Sequence, residues 1–232
     1  MSLTLYLHPL AAFCHKVLIA FYENDLDFRS ETVDLLDPGS AASHLARWPV
    51  GKIPVLHDAV RDRVVPETSI IIEYVQQHYP GPLPMLPHEP EARLDARLWE
   101  RFFDLYVSEP MQKIVTDRLR PQGGNDPVGV SHARNTLDTA YAMINGQLAG
   151  REWAIGDDFT IADCAAAPCL FFSSIVHPFG ADQDNLCAYL ERLLARPTVK
   201  RTLAEARPFF SMFPYRDAMP ERFASGAAFV RG

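Results

Sequence analysis

The pattern of apolar and polar residues changes after the first third of this chain and divides it into two parts. In the first third, short apolar runs alternate with segments in which apolar residues recur at helical spacing. In the first such helix Lys16 lies outside the apolar face. The predicted elements are strands at 4–7, 27–33, 55–56 and 63–65 and helices at 13–22, 40–48 and 68–78. This order predicts a β-α-β unit followed by a hairpin and a closing helix.

The composition changes abruptly after residue 79. Five prolines between residues 80 and 90 cannot sustain a helix or a strand ladder, so this stretch is predicted to be a linker between domains. The pattern beyond it is helical, with Pro110 expected to bend or end the first helix and an aromatic-rich tail from Pro208. Thr160 and Asp163 fit a capping box at a helix start. The predicted helices are 91–107, 131–148, 162–176, 184–195 and 197–206.

Composition narrows the classes of function. The 232 residues are 48% hydrophobic, which suffices for one large or two small cores, and the formal net charge is -7. An acidic chain without a Lys/Arg run gives no electrostatic footprint for nucleic acid, and no apolar stretch approaches the roughly 20 residues that cross a bilayer. The cysteines form no C-x-x-C pair and no metal site is predicted. Without a basic region at the N-terminus, we expect a cytoplasmic protein in reducing surroundings.

One turn organises the first third of the chain. It reads Gly-Lys-Ile-Pro-Val-Leu at 51–56, with Pro54 just before a strand, where a missing N–H is tolerated. An Ile-Pro bond takes the cis form at a cost of roughly 0.5–1 kcal/mol. A cis bond here would turn the backbone N–H and C=O of Ile53 outward, as an edge for an extended peptide ligand. The alternative is an ordinary turn before an edge strand.

Four segments follow one another at characteristic spacing: His-Pro-Leu-Ala-Ala-Phe-Cys-His-Lys-Val at 8–17, the 51–56 turn, Glu-Thr at 67–68, and Phe-Thr-Ile-Ala-Asp at 159–163. In this order the chain resembles the cytosolic glutathione S-transferase superfamily over essentially its whole length. The resemblance implies an α/β thioredoxin-like N-terminal domain and an all-α C-terminal helical domain with an aromatic-rich tail. It also implies a homodimer. The domains would occupy 1–79 and 91–232, joined by the linker at 80–90.

The resemblance also implies a glutathione site. Ile53 and Pro54 would supply the backbone edge, Thr68 and the helix start would take the γ-glutamyl carboxylate, and Glu67 would lie near the ligand's ammonium. Lys52 would meet the glycyl carboxylate. The alternatives are a plain N-cap at 67–68 and a solvated surface lysine at Lys52.

The thiol end departs from the family pattern. Members with a catalytic tyrosine carry it at the position of Leu7, and members with a catalytic serine or cysteine carry it at the position of Ala11. No catalytic residue is therefore assigned, and the backbone amides of Ala11, Ala12 and Phe13 are expected to face the thiol. Cys14 is a possible substitute nucleophile, although the family analogy points it into the core.

Two functions remain open. The first is a transferase that conjugates glutathione to a small hydrophobic electrophile, with Phe102, Tyr106 and Met111 lining the second pocket. The alternative is a non-catalytic member that binds glutathione or another protein. An isomerase of the zeta type is disfavoured because a Ser-Ser-Cys signature is missing, and an omega-like reductase because Ala11 is not cysteine.

Overall fold

The computed structural model describes residues 2–225 and separates the chain into two compact units, Met1–Met85 and Leu86–Gly232. The division falls between Met85 and Leu86, inside the proline-rich stretch. Residue 1 of the predicted first domain and residues 226–232 of the predicted tail lie outside the described residues. The functional assignment of each domain stays a prediction.

The first unit is a four-stranded mixed sheet with helices. The strands run in the order β2-β1-β3-β4, with β1 and β2 parallel and the other neighbours antiparallel. This arrangement confirms the predicted α/β thioredoxin-like fold. Its elements are β1 (Leu3–Leu7), α1 (Ala12–Glu23), β2 (Arg29–Thr32), α2 (Pro38–Arg47), β3 (Val55–Asp58), β4 (Arg63–Pro66) and α3 (Thr68–His78).

The first helix is enclosed around most of its circumference. It packs against α3, and nine of its 12 residues are buried. Lys16, which helical spacing placed outside the apolar face, is one of them, with 1% of its surface exposed. That expectation was wrong because α1 is covered on more sides than one apolar stripe requires.

A buried carboxylate ties the β3–β4 hairpin to the end of α3. Asp58 Oδ2 accepts from the hydroxyls of Tyr74 and Tyr79, both at 2.7 Å, and from Arg61 Nη1 at 3.2 Å. Its Oδ1 accepts from the amides of Val60 at 2.9 Å and Arg61 at 3.3 Å. Burial alone raises the pKa of Asp58, but the two tyrosine and two amide donors outweigh it and hold the pKa at about 2.

The second unit is helical, as predicted, over the described residues 90–225. Helix α7 is buried along almost its whole length, and Thr160 and Asp163 form the predicted capping box at its start. No helix within residues 2–225 is long and apolar enough to span a bilayer. The helices are α4 (Pro90–Phe102), α5 (Glu109–Asp117), α6 (Pro127–Gln147), α7 (Ile161–Val176), α8 (Asp184–Ala195), α9 (Pro197–Ala206) and α10 (Glu221–Ala224).

Pro110 does not end the helical path in which it lies. A π-helical segment, Phe103–Ser108, joins α4 to α5, and Pro110 is the second residue of α5. Proline has no N–H, so the carbonyl of Tyr106 has no α-helical donor four residues on. A wider π-type turn carries the helical path past that missing donor.

Candidate functional site

Three chain segments meet where the neighbouring strands β1, β3 and β4 begin or end. Tyr6 near the end of β1 pairs with Val55 at the start of β3, and Val55 pairs with Pro66 at the end of β4. The residues that follow β1, precede β3 and follow β4 therefore emerge side by side. We call residues 7–13, 51–54 and 67–68 the strand-end site. All of the glutathione-binding residues predicted from the sequence lie in it.

The β1–α1 turn uses one of the three amides assigned to the thiol. The N–H of Ala11 donates to the His8 carbonyl at 3.0 Å, so the expectation of three available amides is corrected to two. Ala11 is the N-cap of α1 and has no side chain to cap the helix. Within residues 2–225, no hydrogen bond engages the amides of Ala12 and Phe13. These two donors carry the positive end of the helix dipole.

The side chains of Cys14 and His15, which follow this turn, lie in the core, and that of His8 is half-buried. Cys14 is fully buried, and burial raises the pKa of its thiol to about 12. A thiol with that pKa is not a nucleophile at neutral pH. His15 is also buried; desolvation lowers its pKa to about 4 even though its ring contacts the Pro9 carbonyl. Burial likewise lowers the pKa of His8 against the opposing effect of Asp34.

The turn before β3 presents a backbone edge. The Ile53–Pro54 peptide bond is cis, the form that the sequence left open. Gly51 has φ 74°, in the left-handed region that favours glycine. Across the described part of the chain, no hydrogen bond reaches the backbone N–H or C=O of Ile53. The Lys52 side chain is exposed.

A histidine that the sequence did not single out supports this turn. His44 on α2 is 1% exposed, and its Nε2 lies 3.0 Å from the Lys52 carbonyl oxygen. Hydrophobic patterning favours its neighbour Leu45 for burial, yet Leu45 is 45% exposed. No sequence signal marks the contact, because it depends on how the chain turns between α2 and β3.

The start of α3 has an unusual backbone. Glu67 has φ 67° and ψ 123°, a conformation that costs a residue with a side chain about 1–3 kcal/mol. Glu67 is the N-cap residue of α3, as in the alternative of a plain N-cap, but its side chain makes no capping hydrogen bond. Thr68 is the first helical residue and is 8% exposed. No hydrogen bond among the described residues engages its hydroxyl.

The three residues predicted for the second substrate lie in the second unit. Phe102 and Met111 are buried there, whereas Tyr106 is 49% exposed. The rings of Phe102 and Tyr106 have centroids 5.1 Å apart. Only Tyr106 of the three offers much surface to a ligand.

The part of the chain that the structure describes contains no candidate metal centre. No group of three or more His, Cys, Asp or Glu side chains there could hold an ion.

Comparison with known proteins covers both units. The family model described as "Glutathione S-transferase, N-terminal domain" matches residues 5–83, and that described as "Glutathione S-transferase, C-terminal domain" matches residues 115–197.

Individual relatives have low sequence identity to this chain but match most of its length. Glutathione S-transferase GstB of Escherichia coli is 26% identical, with 70% of this chain and 78% of that protein covered. A stringent starvation protein A homolog of Coxiella burnetii is 27% identical, with 88% of this chain and 92% of that protein covered. A Methylobacterium radiotolerans glutathione S-transferase, solved in complex with glutathione sulfonate, is 28% identical with a TM-score of 0.76. That comparison covers 86% of this chain and 93% of the other.

Proposed function

The chain belongs to the cytosolic glutathione S-transferase superfamily, and from this premise we propose that it binds glutathione at the strand-end site and conjugates it to a small hydrophobic electrophile. The observation that carries the proposal is the backbone of Ile53, which adjoins the start of α3 and makes no hydrogen bond to any described residue. Glutathione is a peptide with carboxylates at both ends. It needs a backbone edge between anion-binding groups, and this site contains both.

Each part of glutathione has a proposed partner. The backbone of its cysteinyl residue pairs with Ile53, next to the cis Pro54, and the γ-glutamyl carboxylate lies at the Thr68 hydroxyl and the α3 N-terminus. Glu67 faces the ligand's ammonium group, and Lys52, whose side chain is exposed, reaches the glycyl carboxylate. Tyr106, in the second unit, contributes to binding of the electrophile.

In this proposal the thiol is activated mainly by backbone amides. The amides of Ala12 and Phe13 stabilise the thiolate through the helix dipole. A side-chain hydroxyl would add a charge-assisted hydrogen bond of about 1.5–3 kcal/mol, equivalent to roughly one to two pKa units. We therefore expect this protein to be a slower enzyme than a family member that has serine at the position of Ala11. The free cysteines fit a reducing, cytoplasmic setting.

Two measurements on the unmodified protein test the proposal. Calorimetry with glutathione should show one binding event per subunit. In a separate assay, the protein should conjugate glutathione to 1-chloro-2,4-dinitrobenzene. Absence of heat would overturn the glutathione site. Binding without turnover of a panel of aryl halides would instead favour a non-catalytic member. That alternative is favoured by the apolar residues Leu7 and Ala11 at both family catalytic positions.

Ala11→Ser should convert the site into a serine-type one. Ala11 directly precedes Ala12 and Phe13, whose amides make no hydrogen bond within residues 2–225, so a hydroxyl at Ala11 should reach the same sulfur. The apparent pKa of bound glutathione should fall by about one to two units. The lower intrinsic nucleophilicity of a more acidic thiol offsets about half of this, so the rate at pH 7 should rise about threefold to tenfold. The measurement is the pH–rate profile.

Ala204→Ser is the matched control, since Ala204 is exposed on α9. It should leave the profile unchanged. An unchanged profile in Ala11→Ser would mean that the sulfur lies elsewhere. Cys14 would not take its place, given its burial and raised pKa, and a side chain of the second unit would be examined next.

We also propose that the protein is a homodimer. Leu94 and Leu98 lie one turn apart on α4 and are 63% and 58% exposed, so residues 2–225 leave part of its apolar stripe uncovered. Leu98→Glu should convert the dimer to a monomer in sedimentation at micromolar concentration, because it places a charge in an apolar contact. Met143→Glu, on an exposed apolar position of α6, should remain dimeric. A monomeric parent protein would contradict the proposal.

A further inference from the structure

A closed set of three hydrogen bonds holds the turn between α2 and β3. The N–H of Trp48 donates to the His44 carbonyl at 2.8 Å, and the N–H of Gly51 donates to the Trp48 carbonyl at 2.9 Å. The His44 ring closes the set, because its Nε2 lies 3.0 Å from the Lys52 carbonyl. One residue therefore holds both ends of the turn, by its backbone at the start and by its side chain at the end.

The tautomer of His44 follows from this contact. A carbonyl oxygen only accepts hydrogen bonds, so Nε2 carries the proton and donates it. Nδ1 is then a bare acceptor, and it is buried with no hydrogen-bond partner among the described residues. Phenylalanine would fill the same space without that unsatisfied atom. What the imidazole provides and an apolar ring cannot is the hydrogen bond to Lys52.

That hydrogen bond acts on the next residue. The C=O of Lys52 and the N–H of Ile53 belong to one planar peptide group, so fixing the carbonyl fixes the direction of the N–H. A hydrogen bond to the carbonyl also polarises the group and strengthens its N–H as a donor. The N–H of Ile53 is one of the donors at the strand-end site that no hydrogen bond engages within residues 2–225.

We propose that His44 is a positioning residue for the ligand backbone: through the Lys52 carbonyl it orients and polarises the Ile53 N–H for an extended peptide ligand. This inference rests on the proposed glutathione site. His44 contacts neither the ligand nor the sulfur; it acts on binding of the peptide portion. Its loss should therefore raise the KM and Kd for glutathione more than it lowers kcat at saturating glutathione.

The test compares two replacements. His44→Phe fills the volume and removes the donor, whereas His44→Gln keeps an N–H near the position of Nε2. By calorimetry with glutathione, His44→Phe should bind about fivefold to tenfold more weakly than the parent, the range expected for one hydrogen bond. His44→Gln should remain within about threefold of the parent. Thermal melting followed by circular dichroism shows whether both variants are folded. If His44→Phe is not folded, His44→Asn takes its place, because asparagine is too short to reach Lys52.

A second readout needs no ligand. In protein labelled with 15N-isoleucine, the Ile53 amide proton should move upfield in His44→Phe and stay near its original position in His44→Gln, because polarisation is lost only in the first. Equal glutathione affinity of His44→Phe and the parent would overturn the inference and leave the glutathione site standing. Equal losses in both variants would overturn it too, since the missing donor would not be the cause. A parent protein that does not bind glutathione would overturn the proposed function itself, and this inference with it.

Discussion

Thr68→Val is expected to weaken glutathione binding by about tenfold to a hundredfold. The threonine hydroxyl is at the first position of α3, where the helix amides and dipole favour an anion. A hydrogen bond to a charged group contributes about 1.5–3 kcal/mol, and each 1.4 kcal/mol is about tenfold in affinity. Valine keeps the shape and removes only the donor. The dissociation constant by calorimetry measures the effect.

Thr68→Ser is the matched control, because it keeps the hydroxyl and loses only a methyl group. It should bind within about threefold of the parent, whereas Thr68→Val should not. The melting temperatures of both variants should stay close to that of the parent, since no hydrogen bond in the described structure engages this hydroxyl. Full affinity in Thr68→Val would mean that the ligand carboxylate lies away from the start of α3.

Asp58→Asn is expected to destabilise the first unit by about 3 kcal/mol. The carboxylate accepts from two tyrosine hydroxyls, two amides and Arg61. An asparagine amide would turn donors toward some of those donors and leave buried groups unpaired, each at about 1–3 kcal/mol. For a chain of this size the melting temperature should fall by about 6–12 °C. Asp62→Asn is the control, because the Asp62 side chain is fully exposed, and it should change stability by less than about 0.5 kcal/mol.

The same carboxylate predicts how stability depends on pH. The folded pKa of Asp58 is about 2, below the ordinary value of 3.8, so the unfolded state binds more protons in between. Its contribution is complete above about pH 5 and is lost as pH falls through 3.8 and then through 2, by about 2–3 kcal/mol in all. In urea unfolding from pH 5 to 3, the parent should lose stability faster than Asp58→Asn. Parallel curves would contradict the assignment.

Local chemistry was enough to predict several features of this protein. Pro54 just before a strand and the pair Thr160 and Asp163 at the start of α7 each follow from rules that act over a few residues. A proline has no donor wherever it stands, and a threonine can cap a helix start without distant help. The order of strands and helices in the first unit could therefore be predicted from the pattern, whereas the thioredoxin-like fold and the residues of the strand-end site were implied by the resemblance to the family.

Features that depend on distant neighbours were decided only by the tertiary structure. Spacing alone placed Lys16 outside the apolar face, yet it is buried because α1 is enclosed on several sides. The Ala11 amide is occupied because the β1–α1 turn brings it to His8. His44 is buried and Leu45 exposed because the turn into β3 carries the Lys52 carbonyl back to α2. Sequence spacing determines which faces an element has; burial and hydrogen-bond partners depend on what the rest of the chain places against them.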